Sequence, residues 1–340
     1  RSCGLFAAKG EPARKMTESH PPFPFIVGEG RSGTTLLRAM LDAHPNVAIP
    51  PESLFMTDLG ARGRLTMKRT GFDSGSFVSQ LSSEPTFPRW ELPTQEIAQD
   101  LAHRPAKDYP DAVRRIYALY ARARGKPRYG DKSPMNCRQL PLIAALWPEA
   151  RFVHLVRDGR DVAASYLDVA FGPSSFGEAA YTWKKSVSIA DRDGEKLGAL
   201  RYRVVRYEEL VDEPHVVLAD LCAFLDLEFD DRMLQYHEDA TDVIASMSFP
   251  ERHRKLEQPP TPGLRDWRKT MSDRDVAAFE VIAGATLERH GYERRHRRPA
   301  ASVRARALWW WSEAQRHRVM WLFRRPLRAL QTKWRRLVYR

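Results

Sequence analysis

The sequence predicts an α/β fold in which a mostly parallel sheet is flanked by helices. Apolar stretches with strand character alternate with segments of helical spacing, and such alternation is typical of parallel strands joined by crossover helices. The first strand runs into a glycine-rich turn and then into a helix, an arrangement that presents backbone N–H groups to an anion. A chain of 340 residues has room for one large domain with appendages or for two modest domains.

The first elements follow from local patterns. Residues 23–28 are apolar up to a glycine and predict a buried strand, and the leucine and methionine spacing over 34–43 predicts a helix that stops at a His-Pro pair. Residues 47–49 form a short strand. Residues 54–126 combine glycine, proline and serine punctuation with a helical pattern over 111–124. We interpret this stretch as a helical insertion on the acceptor side of the site, because substrate selection often resides in such segments.

The alternation then resumes. The predicted elements are a short strand over 128–134, a helix to 147, a strand over 151–156, a helix to 169, a helix over 176–197, a strand over 202–207, and helices over 214–225 and 272–289. Residues 252–269 are proline-rich and basic and predict a loop. Ligands of parallel sheets bind beyond the carboxyl ends of the strands. The turns at 28, 49, 131, 157 and 207 are therefore expected to face one crevice.

The positive charge is confined to the C-terminal tail. Residues 293–340 hold 15 Lys and Arg against two acidic residues, so the rest of the chain sums to about −1 of the total +12. We divide the chain into a disordered leader over 1–20, a main domain over 21–292 and a basic aromatic helical tail over 293–340. The tail suits peripheral contact with an anionic membrane or a partner protein, or a packed helix pair with a solvated basic face. Nucleic acid is disfavoured because no accompanying motif is present.

The cysteines indicate a reducing compartment. Cys3, Cys137 and Cys222 form no CxxC pair, so we expect a cytoplasmic protein, associated with the inner face of the membrane if the tail binds lipid. No apolar run approaches the roughly 20 residues of a spanning helix, and residues 1–15 lack the apolar core of a secretory signal. Met16 is a candidate for the true start.

The glycine-rich turn departs from the nucleoside triphosphatase pattern at one position. Gly28, Gly33 and Thr35 match G-x-x-x-x-G-K-[ST], but Thr34 replaces the lysine that reaches the β- and γ-phosphates. This replacement argues against hydrolysis of ATP or GTP. The turn remains a cradle for a dianion, to which Arg31 adds a fork suited to phosphate or sulfate oxygens.

Three segments resemble the sulfotransferase family, which uses 3′-phosphoadenosine-5′-phosphosulfate as donor. Residues 30–35, GRSGTT, resemble its 5′-phosphosulfate loop, and 36–47 are similar, nearly residue for residue, to the protein-tyrosine sulfotransferases. Residues 156–165, VRDGRDVAAS, resemble the segment that binds the donor's 3′-phosphate. The sequence Arg-Tyr-Glu at 206–208 is similar to the family's third segment. The resemblance covers about 23–224, and we expect a bacterial member.

The resemblance implies a P-loop fold related to nucleotide kinases and a set of donor-binding residues. Gly30, Arg31, Ser32, Gly33, Thr34 and Thr35 would hold the phosphosulfate. Arg157 and Ser165, about two helical turns apart, would contact the 3′-phosphate, and Tyr207 would lie near the nucleotide.

The resemblance also implies the catalytic residues. Glu52, 21 residues beyond Arg31, matches the catalytic glutamate, and Lys132, 25 residues before Arg157, matches the active-site lysine. Glu52 would be the general base for an acceptor hydroxyl, while Arg31 and Lys132 neutralise charge on the bridging oxygen. This scheme requires no metal. The acceptor would be a carbohydrate, lipid-linked or peptidyl hydroxyl, and the absence of the Golgi enzymes' cysteines near these motifs leaves the tyrosine acceptor open.

Each of these residues also has a simpler, structural interpretation. Glu52 could be a surface carboxylate, and Lys132 could form a structural ion pair with Asp131 or Asp158. We expect His44 to cap a helix and His154 to be a hydrogen-bonded core residue. Trp267, beside Arg265, could contact the nucleotide or anchor packing. The alternative functions are a nucleotide-dependent kinase and a binding protein without catalysis.

Overall fold

The computed structural model describes residues 20–53, 55–57, 72–169, 172–238, 240–245, 254–261, 263 and 266–313. Most of the predicted leader with Cys3 and Met16, Arg265, and the tail beyond residue 313 lie outside these described residues.

Strands and helices alternate as the sequence predicts. The strands are β1 (Phe23–Gly28), β2 (Val47–Ala48), β3 (Arg128–Tyr129), β4 (Asp131–Lys132), β5 (Ala150–Val156) and β6 (Tyr202–Arg206). The helices are α1 (Thr34–Asp42), α2 (Ser74–Ser82), α3 (Thr94–His103), α4 (Tyr109–Ala123), α5 (Leu140–Leu146), α6 (Gly159–Tyr166), α7 (Phe176–Leu197), α8 (Tyr207–Asp212), α9 (Pro214–Phe224), α10 (Ala240–Ala245), α11 (Trp267–Thr270) and α12 (Asp273–Arg289). Residues 301–313 are also helical. No described helix combines the length and apolar character needed to cross a membrane.

The central sheet is parallel and has the order β4-β1-β5-β6. Every residue of β1 is buried, which explains why this strand is an uninterrupted apolar run instead of an alternating one. Helices cover both faces, so the predicted α/β class is confirmed.

The predicted strand over 128–134 divides at Gly130 into two strands with different partners. β3 pairs with β2, whereas β4 pairs with β1. The amide of Gly130 itself donates to the carbonyl of Ala48, 2.9 Å away. The chain therefore passes from a small two-stranded sheet into the central one within a single residue, and the turn after β2 belongs to the smaller sheet.

The helices that precede β3 pack into the main core instead of forming a separate unit. An aromatic cluster joins Trp90 and Tyr117 to Phe23 of β1 and to Trp147, with all four side chains buried. The ring centroids of Trp90 and Tyr117 are 4.9 Å apart in an edge-to-face arrangement, a favourable geometry for aromatic pairs. Helix α4 is thereby held directly against the sheet.

Several element ends differ from the sequence prediction. Helix α6 ends at residue 166, before the predicted 169, and α8 begins at Tyr207, which the sequence assigns to a strand. Helix α11 interrupts the predicted loop over 252–269, because the Asp266 side chain caps it by accepting the amide of Arg268. Ser272 caps α12 as predicted, accepting the amide of Asp275.

Candidate functional site

The parallel register brings the carboxyl ends of the strands to one edge of the sheet. Ile26 of β1 lies beside Lys132 of β4, and Gly28 lies beside Leu155 of β5. Val156 at the end of β5 lies beside Arg206 at the end of β6. The glycine-rich turn, Lys132, Arg157 and Tyr207 therefore start from neighbouring strand ends, as expected for a ligand site of a parallel sheet.

The turn between β1 and α1 has the backbone features that are typical of anion-binding turns. Gly33 is the N-cap of α1 and has a left-handed backbone with φ 94°, a conformation that glycine adopts without steric penalty. Because Gly33 has no side chain, it provides no capping oxygen for the first amides of the helix. The Ser32 hydroxyl is buried and has no hydrogen-bond partner among the described residues. Buried polar atoms without a partner are uncommon and often mark ligand contacts.

Arg31 joins this turn to the second predicted phosphate motif. Its Nε donates to the Ser165 hydroxyl on α6 over 3.1 Å, across 134 residues of sequence. The Arg31 backbone is left-handed, with φ 68°, which is uncommon for a residue with a Cβ atom and typical of functional loops.

Tyr207 packs against the turn at Gly33, and Arg157 stacks on the Tyr207 ring. The Arg157 guanidinium carbon lies 4.3 Å from the centroid of the Tyr207 ring, a cation–π distance. A Cβ atom at Gly33 would come within 2.4 Å of that ring, so the glycine allows Tyr207 to pack against the turn. The Nε atom of Arg157 is buried and without a hydrogen-bond partner among the described residues.

Asp161 lies on α6 and forms an ion pair with Arg157. Its Oδ2 lies 3.7 Å from the Arg157 guanidinium, and its Oδ1 accepts the amide of Trp267 over 2.8 Å. Burial raises the pKa of Asp161 to about 6, although Arg157 opposes this shift. The Asp161 carboxyl beside Arg157 is therefore expected to change its charge around pH 6.

Glu52 and Lys132 form an ion pair beside the end of β4. The Lys132 ammonium donates to Glu52 Oε1 over 2.6 Å. The Lys132 side chain is almost fully buried, while 41% of the Glu52 side chain remains exposed. Burial lowers the pKa of Lys132, although the Glu52 carboxylate opposes that shift. Because part of the Glu52 carboxylate is open to solvent, a substrate hydroxyl could approach it. The buried Lys132 ammonium holds the carboxylate in position.

A buried network fixes both members of this pair. Asp131 precedes Lys132, is fully buried, and accepts hydrogen bonds from the hydroxyls of Ser53 and Tyr117, the latter over 2.8 Å. The Ser53 amide in turn donates to Ser133 Oγ over 3.1 Å. Ser53 follows Glu52 directly, so this network ties the segment that carries Glu52 to the strand that carries Lys132.

The sequence profile described as the sulfotransferase family matches residues 22–231, more than half of the chain. The chain belongs to the sulfotransferase family. The matched range contains every residue predicted for the donor and catalytic sites.

Curated relatives agree with the assignment. This sulfotransferase is 26% identical to protein-tyrosine sulfotransferase A of Caenorhabditis elegans over 279 residues, which cover 80% of this chain and 67% of the relative. It is 28% identical to the protein-tyrosine sulfotransferase of Drosophila melanogaster over 222 residues, 64% of this chain but only 40% of that protein. The nodulation protein NoeE of Sinorhizobium fredii is 26% identical over 317 residues, 85% of this chain and 71% of that protein.

The fold is shared with solved sulfotransferase domains. The sulfotransferase domain of the olefin synthase from Synechococcus PCC 7002 superposes with a TM-score of 0.59 at 24% identity, covering 83% of this chain and 99% of that one. The sulfotransferase domain of the curacin biosynthetic pathway gives a TM-score of 0.51 at 21% identity, covering 81% and 99% of the two chains. At these identities the likeness concerns the fold.

The structure brings the predicted site residues of this sulfotransferase to one edge of the sheet. Arg31 contacts Ser165, Arg157 contacts Tyr207, and Glu52 contacts Lys132. Gly30 and Ser32 lie in the turn before Gly33, and Thr34 and Thr35 form the first residues of α1. The simpler alternative for Lys132 was an ion pair with Asp131 or Asp158, and the ion pair seen for Lys132 in the described residues is with Glu52.

Three further residues are engaged in structural contacts. His44 accepts the Asn46 amide at Nδ1 over 3.0 Å and lies 2.7 Å from the Glu228 carbonyl through Nε2. His154 is fully buried, with Nδ1 2.6 Å from the Tyr202 hydroxyl, as expected for a core histidine. Trp267 is buried, and the Arg160 guanidinium stacks 4.1 Å from its ring centroid, in agreement with a packing anchor.

Glu29, inside the glycine-rich turn, was not predicted to have a role. Its carboxylate is buried and accepts hydrogen bonds from the Tyr166 hydroxyl over 2.7 Å, from Arg138 over 3.3 Å and from the Ser186 hydroxyl. These donors lie on three different segments, so the turn is braced from beneath. The sequence does show an acidic residue, Glu29, between two glycines of a turn expected to bind an anion. The hydrogen-bond partners of Glu29 are too distant along the chain to be inferred from the sequence.

The described residues contain no group of three or more His, Cys, Asp or Glu side chains that could hold a metal ion.

We predict that removing the Tyr117 hydroxyl destabilises the protein more than removing that of Tyr109. Both tyrosines are buried on α4, but Tyr117 donates to the Asp131 carboxylate and Tyr109 to the Met56 carbonyl. A hydrogen bond to a charged group contributes about 1.5–3 kcal/mol, against about 1 kcal/mol for a neutral one. Urea unfolding of Tyr117→Phe and of the matched control Tyr109→Phe measures both losses. Burial raises the pKa of Asp131, while its hydrogen bonds from Ser53 and Tyr117 oppose that shift, so the measurement is made at pH 8. Equal losses there would contradict a charged Asp131.

Proposed function

We propose that this sulfotransferase moves a sulfuryl group from 3′-phosphoadenosine-5′-phosphosulfate to the hydroxyl of a carbohydrate, lipid-linked or peptidyl acceptor, with Glu52 as general base. The observation that carries the proposal is the 2.6 Å pair between Glu52 and the buried Lys132. That pair lies at the strand end next to an anion-binding turn.

The residues of the turn fit a phosphosulfate. The buried Ser32 hydroxyl lacks a partner among the described residues, and the N-terminal amides of α1 begin directly after Gly33. Residues 30–35 would bind the 5′-phosphosulfate, which supplies an activated sulfuryl group on a phosphate leaving group. Arg157, whose Nε is also buried without a partner in the described structure, and Ser165 would bind the 3′-phosphate. Tyr207 would border the nucleotide.

The catalytic roles follow from charge and position. Glu52 would accept the proton of the acceptor hydroxyl while the hydroxyl oxygen forms its bond to sulfur. The electron pair of the broken sulfur–oxygen bond remains on the phosphate oxygen of the departing nucleotide. Arg31 and Lys132 would stabilise the negative charge that develops there. The ammonium of Lys132 is held in place by Glu52 before substrates bind, which limits the reorganisation required during the reaction.

The acceptor would approach the half-exposed side of Glu52. The polypeptide over 54–126 is the proposed acceptor side, and its helix α4 is linked to the catalytic pair through Tyr117 and Asp131. The relatives named protein-tyrosine sulfotransferases make a peptidyl tyrosine the first acceptor to assay. We propose a cytoplasmic setting, supported by the free thiols of Cys137 and Cys222, both buried.

Donor recognition is tested by titration calorimetry with adenosine 3′,5′-bisphosphate and with ATP. We expect the bisphosphate to bind much more tightly than ATP, because Thr34 replaces the lysine that recognises a triphosphate. Arg157→Ala should weaken bisphosphate binding about tenfold to 100-fold, the effect of losing a hydrogen bond to a charged group. Arg192→Ala, at an exposed arginine of α7, is the matched control. Equally weak binding of both nucleotides would contradict the proposed donor.

Donor binding should also depend on the protonation of Asp161. Its pKa is raised to about 6, and a phosphate at Arg157 would raise it further, so binding takes up a proton and tightens as pH falls through this range. Asp161→Asn keeps an acceptor for the Trp267 amide but removes the charge. At pH 8 we expect this variant to bind adenosine 3′,5′-bisphosphate up to about tenfold more tightly than the wild type.

Measuring both proteins across the pH range separates this effect from titration of the ligand, which is common to both. The two affinities should converge near pH 5, where the wild-type Asp161 is protonated. Weaker binding by Asp161→Asn at pH 8 would show instead that the ionised carboxylate orients Arg157 for the ligand.

The base assignment is tested with Glu52→Gln in a labelled-sulfate transfer assay. We expect kcat to fall about 10²- to 10⁴-fold, the usual contribution of a general base, while calorimetric affinity for adenosine 3′,5′-bisphosphate stays within a few fold. Glu195→Gln, at a carboxylate with 58% exposure near the C-terminal end of α7 and outside the proposed acceptor side, should retain full activity. Undiminished turnover by Glu52→Gln would remove the base assignment and leave the donor assignment standing.

A further inference from the structure

The helix formed by residues 301–313 is attached to the catalytic domain by one side. Ala307 and Trp310 are buried in the hydrophobic cluster of α6, α7 and α12. Trp310 packs so closely on Gly177 that a Cβ atom there would come within 2.3 Å of the indole. Arg306 pairs with Asp275 of α12 over 2.6 Å. The helix is therefore held in one orientation.

The rest of this helix presents an exposed aromatic face, which we define as Arg304, Leu308, Trp309 and Trp311. Leu308 is 68% exposed, and the two tryptophans are 52% and 49% exposed. Arg304, also exposed, precedes Leu308 by four residues and Trp311 by seven, spacings that place these three side chains on one side of the helix. Trp309 stands two residues before Trp311, so at about 100° per residue it leaves the helix on the other flank of the exposed half. Together the four side chains cover the half of the helix that is turned away from the buried Ala307 and Trp310. The other large exposed hydrophobic side chains of the described residues are scattered along the chain. A group of large apolar side chains kept in water indicates a contact surface.

The sequence that contains and follows this helix is strongly basic, which bears on the kind of surface that the face fits. Arg297 and Arg298 lead into the helix and are exposed. Residues 293–340 together hold 15 Lys and Arg against two acidic residues, whereas the rest of the chain is nearly neutral. A partner that combines dense negative charge with an apolar interior for indole rings would complement both features. Tryptophan and arginine on one helix suit the interface of an anionic bilayer, where rings enter the headgroup boundary and arginines meet lipid phosphates.

We propose that the exposed aromatic face is a membrane-docking surface that binds anionic lipid bilayers and holds this enzyme at the membrane surface. The inference rests on the exposure and charge of this helix, and it is independent of the donor and catalytic assignments. Contact of this kind inserts side chains into the interface and involves no helix that spans the bilayer.

The test is sedimentation of the full chain with vesicles of phosphatidylcholine mixed with phosphatidylglycerol, compared with vesicles of phosphatidylcholine alone. We expect binding to the mixed vesicles, weak binding to the neutral ones, and release by salt because charge attraction is screened. Trp309→Ser/Trp311→Ser should lower the partition coefficient about tenfold or more, since burial of apolar surface contributes about 25 cal/mol per Å². Arg304→Glu should weaken binding as well.

Leu200→Ser is the matched control, because Leu200 is 85% exposed and lies in the turn before β6. It should leave vesicle binding unchanged, and thermal unfolding and donor binding of all variants should match the wild type. Three results would overturn the proposal: equal sedimentation of the double variant and the wild type, equal binding to neutral vesicles, or absence of vesicle binding together with self-association that the double substitution abolishes. The last result would assign the face to a second copy of the chain.

Discussion

The pairing of β1 with β4 on one side and β5 on the other is the constraint on which the site depends. The glycine-rich turn follows β1, Lys132 ends β4, and Arg157 follows β5. The parallel register aligns the carboxyl ends of these three strands. The glycine-rich turn, the buried Lys132 and Arg157, which follows β5, are consequently neighbours, although they are far apart along the chain. A shift in this register would separate them, because the turn, Lys132 and Arg157 each lie at or directly after a strand end.

Buried charge forms a second layer beneath this edge. Glu29 accepts hydrogen bonds from three segments under the turn, and Asp131 accepts hydrogen bonds from hydroxyls under the Glu52–Lys132 pair. Farther along, Arg160 is held between Asp158 and Glu280 and stacks on Trp267. Desolvating these carboxylates is unfavourable, and the cost is offset only when several donors satisfy them in fixed geometry. These hydrogen bonds therefore fix the positions of the residues above them. The proposed sulfuryl transfer depends on such fixed positions.

Much of the fold was predictable because its signals are local. The apolar runs of β1 and β5, the helical spacing of α1 and α7, and the Ser272 cap all depend on neighbours in sequence. The division of 128–132 into two strands was not predictable, since it depends on which distant strand each half meets. Helix α8 was missed for the same reason, because its first residue, Tyr207, packs against the glycine turn of a remote segment.

The sequence by itself determined the order of strands and helices, the glycine-rich turn over 28–35, and the replacement of the triphosphate lysine by Thr34. It also carried the family resemblance that selects Glu52, Lys132, Arg157 and Ser165. Only the tertiary structure decided that Lys132 pairs with Glu52 instead of Asp131, that Glu29 is a buried brace, and that Trp310 is packed while Trp309 and Trp311 are exposed. The physical reason is that burial, the partner of a charge and the pKa of a carboxyl arise from contacts between segments. Residue type and spacing specify which groups are present, and the packed fold specifies which of them meet.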